Sequence, residues 1–306
     1  SKNIRNIGEI KDKTSLKVRT QYEENPYPRW TSSDSLYQKK LTVSQVINDE
    51  ICPNYINKDL GNETTQILIA GCGTGQQIMY AQKYRNAKIT CIDLSLASLA
   101  YAQRKINDLE ITNVELILMD ILETKLLETK FDIIESSGVL HHMYEPLKGL
   151  KALVNILKPN GLINLGLYSE LARTNVTFTK NYIKRNKIKT DVKSIRDFRK
   201  KIISGETKDL NHLTSLNDFY TLSECRDLCF HSQEHLFRLD KIQEWLDCSQ
   251  LNFLGFYLPQ VIKSHYKKYF SEDKTQTNLG NWAKFEEAYP ETFIGMYQFW
   301  ASKTKL

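Results

Sequence analysis

The chain has 306 residues, of which 41% are hydrophobic and 25% are charged, and its formal net charge is +6. No run reaches the roughly 18–20 apolar residues of a membrane span, and the opening SKNIRNIGEIKDK lacks the apolar core of a signal peptide. The six cysteines are too sparse for a disulfide scaffold. These features argue against a membrane protein and a disulfide-rich one, and we expect a cytoplasmic protein.

Residues 1–60 are predicted to form an arm or lid ahead of the main domain. Within them, QYEENPYPRW at 21–30 contains Pro26 and Pro28, which favour an extended path and oppose a regular helix. A stiff segment orders over a ligand at little entropic cost, so its side chains are candidates for ligand contact. They are Tyr22, Tyr27, Arg29 and Trp30. The alternative is that the aromatic rings only pack the arm against the main domain.

The middle third alternates between apolar runs and helical stretches. Five strands are predicted, in QILIAGC, KITCIDLS, VELILMD, FDIIESSGVL and GLINLGLYS. This order predicts βαβ units on a parallel sheet with helices on both faces. Two later strands, 251–258 and 295–303, extend the predicted sheet to seven, the last of them antiparallel. Asp240 is the predicted N-cap of the helix before them.

The predicted fold class is therefore α/β, with additions around one core. The core spans 61–169, a mostly helical substrate cap is inserted at 170–238, and 239–306 completes the core. Within the cap, residues 180–201 carry ten Lys or Arg against two Asp. We interpret this run as solvated helix faces, and the alternative is a surface for an acidic partner such as nucleic acid.

A glycine loop follows the first core strand. ILIAGCGTGQQ, 67–77, places Gly71, Gly73 and Gly75 at a strand-to-helix junction, where glycines allow a ligand to approach the backbone. Asp93 comes twenty residues after Gly73 and ends the next strand, a position suited to ribose hydroxyls. Asp120 ends the third strand. The sequence thus predicts a nucleotide-binding crevice along one edge of the sheet.

These motifs resemble those of class I S-adenosylmethionine-dependent methyltransferases. The likeness rests on IAGCGTG, Asp93, Asp120 and the SSGVLHHM that follows the fourth strand, and it covers about residues 62–168. It implies a Rossmann-like sheet, S-adenosyl-L-methionine as the cofactor and S-adenosyl-L-homocysteine as the product. The implied cofactor-binding residues are Gly71, Cys72, Gly73, Thr74, Gly75, Gln76, Asp93, Leu94, Asp120, Ile121, Ser136 and Ser137, with Tyr22 and Trp30 from the arm.

One position departs from that family's pattern. Its members often carry an acidic residue two positions before the first glycine, where it helps to hold the amino group of the cofactor, and this chain has Ile69. Backbone carbonyls near Gly71, or a polar residue of the N-terminal segment, would have to replace it. The alternative for the whole crevice is a doubly wound domain that binds another nucleotide.

The arm narrows the resemblance further. Segments similar to YEENPYPRW recur in a bacterial subgroup of these methyltransferases, some of whose members are joined to tetratricopeptide repeats. FYTLSECRDLCFHSQEHLF at 219–237 and MYQFW near the C-terminus also resemble that subgroup. The likeness to the subgroup says little about the methyl acceptor.

Several histidines are candidates for the chemistry. Methyl transfer is an in-line displacement, so the protein mainly positions the acceptor and removes its proton. His141 and His142 follow the fourth strand, and we expect only one of them to face the crevice. The family pattern V-L-x-H gives His142 a local role, which leaves His141 freer to meet the acceptor. Either imidazole could act as a base near neutral pH, and the alternative is a ring bonded to nearby backbone.

The stretch CRDLCFHSQEH, 225–235, ends in H-x-x-E-H, which is also the pattern of one class of zinc peptidase. We reject a peptidase because the sheet already serves a cofactor, and we predict no metal site, including a Cys₂His₂ cluster with Cys225 and Cys229. A polar wall above the transfer site is favoured over a purely structural network. It would contain Arg226, Asp227, His231, Glu234 and His235, with His231 or His235 acting on the acceptor.

The predicted reaction is methyl transfer to nitrogen or oxygen. The predicted catalytic residues are His141, His231, His235 and Tyr27, and the predicted substrate-binding residues are His142, Arg29, Arg226 and Glu234. A peptide or protein side chain and a small molecule remain alternative acceptors. E-S-S-G replaces the D/N-P-P-Y/F signature of enzymes that methylate nucleic-acid bases, so nucleic acid is disfavoured. The other class is a non-catalytic binding subunit, since Ile69 departs from the pattern.

Overall fold

A computed structural model of the protein describes residues 4–28, 40–57 and 64–303, with Tyr80 described by its backbone alone. Eight strands form one sheet in the order β1-β4-β3-β2-β5-β6-β8-β7. All pairs are parallel except those of β8, which runs antiparallel to β6 and β7. The strands are β1 Arg5–Asn6, β2 Thr65–Ala70, β3 Ala87–Asp93, β4 Val114–Leu118, β5 Phe131–Ser137, β6 Leu157–Leu167, β7 Leu251–Phe256 and β8 Tyr297–Lys303.

The sheet separates two apolar cores, as the continuously apolar strands predict. Along β2, Leu68 packs into the core on one face, and Ile67 and Ile69 pack into the core on the other. Helices cover both faces. They are α1 Lys13–Glu24, α2 Val43–Ile51, α3 Gln76–Ala81, α4 Leu96–Asp108, α5 Pro146–Ile156, α6 Thr174–Arg185, α7 Val192–Ile203, α8 Leu222–Phe230, α9 Leu239–Cys248, α10 Gln260–Tyr269 and α11 Leu279–Ala288.

Two predictions are wrong, one about the number of strands and one about the start of α9, the helix before β7. The described residues contain eight strands rather than seven, because Arg5 and Asn6 pair with β4, and two exposed residues carry no readable strand pattern. Asp240 is not the N-cap of α9. That helix begins at Leu239 with Arg238 as its cap, and the Asp240 carboxylate accepts a hydrogen bond from the amide of Lys241 within the first turn.

The segment between β6 and α9 has an apolar core of its own. α6, α7 and α8 pack together with 3₁₀ turns at Lys208–Ser215 and Asn217–Phe219. On α7 the residues Ile195, Phe198 and Ile202 are buried at helical spacing, while most basic side chains of 180–201 are exposed. This arrangement is that of solvated helix faces. Within the described residues, no helix is long and apolar enough to cross a membrane.

Candidate active site

A cavity of about 270 Å³ lies at the carboxyl ends of β2, β3, β4 and β5. The carboxyl edge of a parallel sheet is where ligands bind in open α/β folds. At one end the cavity is lined by Gly71, Gly73, Asp93 and Asp120, which we call the cofactor crevice. At the other end it is lined by Tyr22, Tyr27, His142, Tyr168 and Asp227, which we call the acceptor chamber.

The glycine loop of the crevice is tightly enclosed. Gly71 and Gly73 have φ of +80° and +52°, a region that other L-residues rarely adopt. A Cβ at Gly71 would lie 2.3 Å from Val139, and one at Gly73 would lie 2.8 Å from the carbonyl oxygen of Tyr27. Only glycine therefore fits at either position, and the arm passes directly over the loop.

Asp93 ties the loop to the end of β3. Its carboxylate accepts hydrogen bonds from the amide of Gly73 at 2.8 Å and from the amide of Ser95 at 2.9 Å. Burial raises the pKa of Asp93, and these two amide bonds oppose that rise. Asp120 is also buried, which raises its pKa, and it accepts a 2.9 Å bond from the amide of Leu122. Two carboxylates, each with spare acceptor capacity, therefore face the crevice.

The N-terminal arm closes this end of the cavity. Residues of α1, including Val18, line the crevice. The carboxylate of Glu23 accepts hydrogen bonds from the amides of Leu96 at 2.6 Å and Ala97 at 3.1 Å, and so caps the N-terminus of α4. An acidic group there is stabilised by the free amides and the helix dipole. The hydroxyl of Thr74 donates to the carbonyl of Pro28 in the arm.

Some predicted cofactor residues do not line the cavity. Cys72 is fully buried in one of the sheet cores, and Gly75 packs against Ala102. The Thr74 hydroxyl is bound to the arm. Ser136 lies on the opposite side of β5 from Ser137, because side chains alternate along a strand, and only Ser137 lines the cavity. The lining does include Tyr22, Gln76, Leu94 and Ile121, as well as both aspartates and the first two glycines.

The two adjacent histidines have the opposite orientation from the one predicted. His142 lines the acceptor chamber, whereas His141 is fully buried and does not line the cavity. His141 stacks on Tyr168 with ring centroids 3.9 Å apart, and its backbone carbonyl accepts a 2.8 Å bond from the amide of His235. A direct contact of His141 with an acceptor is therefore excluded in this conformation. His142 takes that place because the 3₁₀ turn Leu140–His142 rotates it inward.

The helix predicted to carry HSQEH ends before it. α8 stops at Phe230, and the following residues run extended beside the end of β6. Tertiary pairing accounts for this change, since the amide of Phe237 donates to the carbonyl of Tyr168 at 2.9 Å. His231 and His235 consequently do not share a helical face. His235 bonds to the side chain of Gln233 at 3.0 Å and does not line the cavity.

Gln233 holds His142 and His231 in opposite tautomers. The Nδ1 of His142 lies 2.7 Å from the backbone carbonyl of Gln233 and must donate to it, which leaves a lone pair on Nε2. The Nδ1 of His231 accepts from the backbone amide of Gln233 at 3.1 Å, so its proton is on Nε2. The two rings stack with centroids 3.6 Å apart. Burial lowers the pKa of both, that of His231 to about 4, so both are neutral near pH 7.

Asp227 completes the chamber. It is 7% exposed and accepts a 2.7 Å hydrogen bond from the hydroxyl of Tyr22 on α1. Burial raises the pKa of Asp227 to about 6, so the carboxylate is ionised at neutral pH. The sequence placed Asp227 in a polar wall but not among the site residues. Tyr168 was missed as well, although a tyrosine at the carboxyl end of a predicted strand is a signal for it.

His142, Asp227 and His231 bring three ligand-type atoms within 4.8 Å of one another. A metal would need a lone pair on Nε2 of His231, and the amide of Gln233 favours a proton there. The hydrogen bonds of the cluster therefore suit proton exchange better than metal binding. The absence of a metal site stays a prediction.

The remaining predicted substrate residues are engaged elsewhere. Glu234 is buried between Arg173, at 3.2 Å, and Lys180, at 2.7 Å. Arg226 pairs with Glu24 of α1 at 2.8 Å. Neither Glu234 nor Arg226 lines the cavity, because each is neutralised by a partner that ties the cap or the arm in place. Arg29 and Trp30 lie outside the described residues.

Comparison with known proteins is consistent with this site. Residues 68–165 match a family model described as a methyltransferase domain. An uncharacterized protein of Synechococcus sp. is 30% identical over 200 residues, which are 62% of this chain and 48% of that protein. The (S)-coclaurine N-methyltransferase of Papaver somniferum is 28% identical over 110 residues, which are 36% of this chain and 31% of that enzyme. The chain spans less than half the length of either relative.

A solved structure shares the architecture. PKMT2 from Rickettsia typhi, in complex with AdoHcy, superimposes with a TM-score of 0.57 at 19% identity, over 78% of this chain and 48% of that chain. This likeness shows the fold alone. Together with the family match, it places the residues that match a methyltransferase domain, 68–165, on a Rossmann-like sheet. S-adenosylmethionine is the cofactor that the sequence resemblance implies for such a domain.

The described residues fit that cofactor. Asp93 and Asp120 offer acceptor oxygens for ribose hydroxyls and an adenine amino group, and Leu94, Met119 and Ile121 form an apolar wall of the same cavity. The side chain of Ile69 packs into a sheet core and does not replace the missing acid. The carbonyl of Tyr27, which lies against Gly73, is a polar group of the N-terminal segment near that position.

Proposed function

We propose that the chain transfers a methyl group from S-adenosylmethionine to a nitrogen or oxygen of an acceptor, releasing S-adenosylhomocysteine. One observation carries the proposal: the cofactor crevice and the acceptor chamber are two ends of a single cavity. A cofactor held at the glycine loop would therefore face Tyr22, His142 and Asp227 without an intervening wall. In-line transfer needs this arrangement, with donor and acceptor in van der Waals contact.

In this proposal the crevice residues bind and the chamber residues orient. Asp93 accepts hydrogen bonds from the ribose, Asp120 with Ile121 and Leu94 holds the adenine, and the glycine loop receives the methionine part. The bound cofactor supplies a methyl group already activated on a sulfonium. His142, with its Nε2 lone pair, and Asp227, with its carboxylate, are the groups able to accept a proton from the acceptor. Tyr27 shapes the chamber and excludes water.

The arm and the cap are assigned to acceptor selection. Tyr22 of α1 binds Asp227 of α8, so the chamber exists only when the arm and the cap segment at 170–238 meet over the core. A peptide or protein side chain and a small molecule are both compatible with that opening. The name of the Papaver somniferum relative favours an amine-bearing small molecule. A tRNA U34 carboxymethyltransferase of Campylobacter curvus is 29% identical over 112 residues, a similar share of this chain, so what disfavours nucleic acid is the absent D/N-P-P-Y/F signature and not the relatives' names.

Calorimetric titration with S-adenosylmethionine and S-adenosylhomocysteine tests the proposal. We expect micromolar binding that Asp93→Ala weakens by about 100-fold, since a buried carboxylate hydrogen-bonded to ligand hydroxyls contributes a few kcal/mol. Asp197→Asn, on the exposed side of α7, is the matched control and should bind like the unmodified protein. Transfer of a labelled methyl group to a mixed panel of acceptors then measures activity.

The second candidate is a binding subunit that keeps the fold without turnover. The absent acid at Ile69 favours it, whereas the intact Gly71, Gly73, Asp93 and Asp120 oppose it. Cofactor binding with no methyl transfer to any acceptor class would support this candidate. Failure of Asp93→Ala to change cofactor affinity would mean that the crevice is not where the cofactor binds.

A further inference from the structure

The acceptor chamber contains the carboxylate of Asp227, which forms no ion pair with any Lys or Arg in the described part of the chain. Among the described residues that line the cavity none is Lys or Arg, and three are Asp. The nearby cations, Arg173 and Lys180, do not line the cavity. Arg173 and Lys180 bind Glu234, and the guanidinium of Arg173 lies 3.5 Å from the ring centroid of Tyr168. A buried carboxylate facing a cavity is costly unless a partner neutralises it.

Resting on the function proposed above, we propose that the acceptor is a primary or secondary alkyl amine, which binds as its ammonium ion against Asp227. Two phenol rings, those of Tyr22 and Tyr27, line the chamber beside the carboxylate, whereas the two faces of Tyr168 are occupied by His141 and Arg173. Aromatic faces attract cations, and the combination of rings with one carboxylate is the chemistry that recognises an ammonium group. An anionic acceptor would meet the carboxylate of Asp227 with no Lys or Arg among the described lining residues to bind it.

The number of hydrogen-bond acceptor atoms in the chamber favours an amine over an alcohol as the methyl acceptor. A ring nitrogen of His142 and a carboxylate oxygen of Asp227 lie within 4.8 Å of each other. Because Nδ1 of His142 is bonded to Gln233, its Nε2 lone pair is the free one, and a single small group between His142 and Asp227 can reach both hydrogen-bond acceptors. A protonated primary or secondary amine has at least two N–H hydrogens and can satisfy both groups. An alcohol has one O–H hydrogen and would leave either His142 or Asp227 without a hydrogen-bond donor.

The chemical step balances with these groups. The ammonium nitrogen gives one proton to the carboxylate of Asp227 and becomes a neutral amine with a free lone pair. That lone pair forms the bond to the methyl carbon while the sulfur–carbon bond breaks, and sulfur keeps the bonding electrons. The product amine carries the positive charge that the sulfonium has lost. Tyr22 holds Asp227 in place through its hydroxyl and is a positioning residue.

Matched pairs of acceptors test this inference in the full chain. Labelled S-adenosylmethionine is offered with alkyl and arylalkyl amines and with alcohols of the same carbon skeleton, and thermal unfolding of the protein saturated with S-adenosylhomocysteine is measured with each compound. We expect methylation of amines only, and stabilisation by amines only. Asp227→Asn should reduce kcat/KM for the amine by about 100-fold and change cofactor affinity by less than about threefold. Asp197→Asn should change neither.

A second variant guards against misfolding. If Asp227→Asn lowers the unfolding temperature strongly, Tyr22→Phe keeps the carboxylate and should reduce kcat/KM by about three- to tenfold. Methylation of alcohols in preference to amines overturns the inference. Three other results also overturn it. They are unchanged activity of Asp227→Asn, loss of activity on chelation with recovery on adding a divalent metal, and a panel in which amines are neither methylated nor stabilising. Loss of cofactor binding itself would instead contradict the proposed function.

Discussion

The two ends of the cavity are built in different ways. In the cofactor crevice, Gly71, Gly73, Asp93 and Asp120 come from consecutive strand ends within one stretch of the chain. In the acceptor chamber, the hydrogen bond between Tyr22 and Asp227 joins residues 205 positions apart. The crevice is therefore a local product of the βαβ order, whereas the chamber is a product of tertiary assembly.

This difference sets which changes the molecule tolerates. A substitution in the crevice acts directly on backbone that the sheet holds rigid. A substitution in the chamber acts on the contact between the arm, the cap and the core, and each of these can adjust. We therefore expect steep effects at the glycine loop and graded effects at the arm.

The largest expected effect is that of Gly71→Ala. The new Cβ would lie 2.3 Å from Val139, and the residue would have to keep a φ of +80°. We expect cofactor affinity to fall by at least about 100-fold, measured by calorimetry, because the loop must move away from the crevice. Gly205→Ala is the control, since Gly205 has a φ of +78° but no atom within 4 Å of the added carbon. Equal effects of the two substitutions on binding would show that strain, and not the crevice, is responsible.

The same contrast explains what the sequence could predict. The strand runs, the glycine loop and the aspartates at the strand ends are local patterns, and they predict the α/β sheet and most of the crevice. β1 was not predicted, because its two exposed residues, Arg5 and Asn6, show no strand pattern. Ser136 and Ser137 are ambiguous until the register of β5 is known, since a shift of one residue exchanges the two faces.

The acceptor chamber could not be predicted in the same way. Which of His141 and His142 faces inward depends on a 3₁₀ turn whose rotation has no sequence signal. HSQEH has helical spacing, but pairing of Phe237 with the end of β6 draws the segment out of α8. Asp227 is one of many acidic residues until Tyr22 is brought beside it. The orientation of the two histidines, the path of HSQEH and the role of Asp227 all depend on tertiary contacts, which cannot be inferred from sequence periodicity.

A half-buried carboxyl group that does not line the cavity should make the protein less stable as pH rises. Glu135 on β5 accepts a 3.3 Å bond from Tyr84, and burial raises the pKa of Glu135 to about 7. A group with a raised pKa in the folded state contributes stability at low pH, and this contribution is lost as pH rises through the folded value. Between pH 5.5 and 8.5 this loss is about 2 kcal/mol. Glu135→Gln should remove that part of the pH dependence.

Urea unfolding at the two pH values measures this difference. Comparing variant with unmodified protein at each pH isolates Glu135 from the buried histidines, whose lowered pKa values act in the opposite direction. Glu115→Gln, at an exposed pair with Arg5, should leave the pH dependence unchanged. An unaltered slope in Glu135→Gln would mean that Glu135 is already ionised when folded.

Turnover of an amine acceptor should fall in acid. Asp227 must be ionised to bind the ammonium, and its pKa is about 6, so kcat/KM should decrease about fivefold from pH 6 to pH 5. The titratable and charged groups around Asp227 are Tyr22 from α1, Tyr27 of the arm, Asp218 of the cap, His142 and His231, Tyr168, and the network of Arg173, Lys180 and Glu234. His231, with a pKa of about 4, is neutral above pH 5, and burial holds the pKa of His142 well below its ordinary value, so we do not expect either histidine to produce this limb. Tyr22→Phe should move it to higher pH, because the Tyr22 hydrogen bond lowers the pKa of Asp227.

The smallest expected effect concerns the arm. Glu23→Gln keeps the shape of the side chain but removes the charge that caps α4 through the amides of Leu96 and Ala97. An uncharged cap is weaker by less than about 1 kcal/mol, so cofactor affinity should fall by about fivefold or less. Glu9→Gln, which alters an exposed pair with Lys11, should have no effect. If Glu23→Gln instead abolished binding as Gly71→Ala is expected to do, the arm would belong to the rigid crevice, and the division between the two ends of the cavity would have to be moved to include α1.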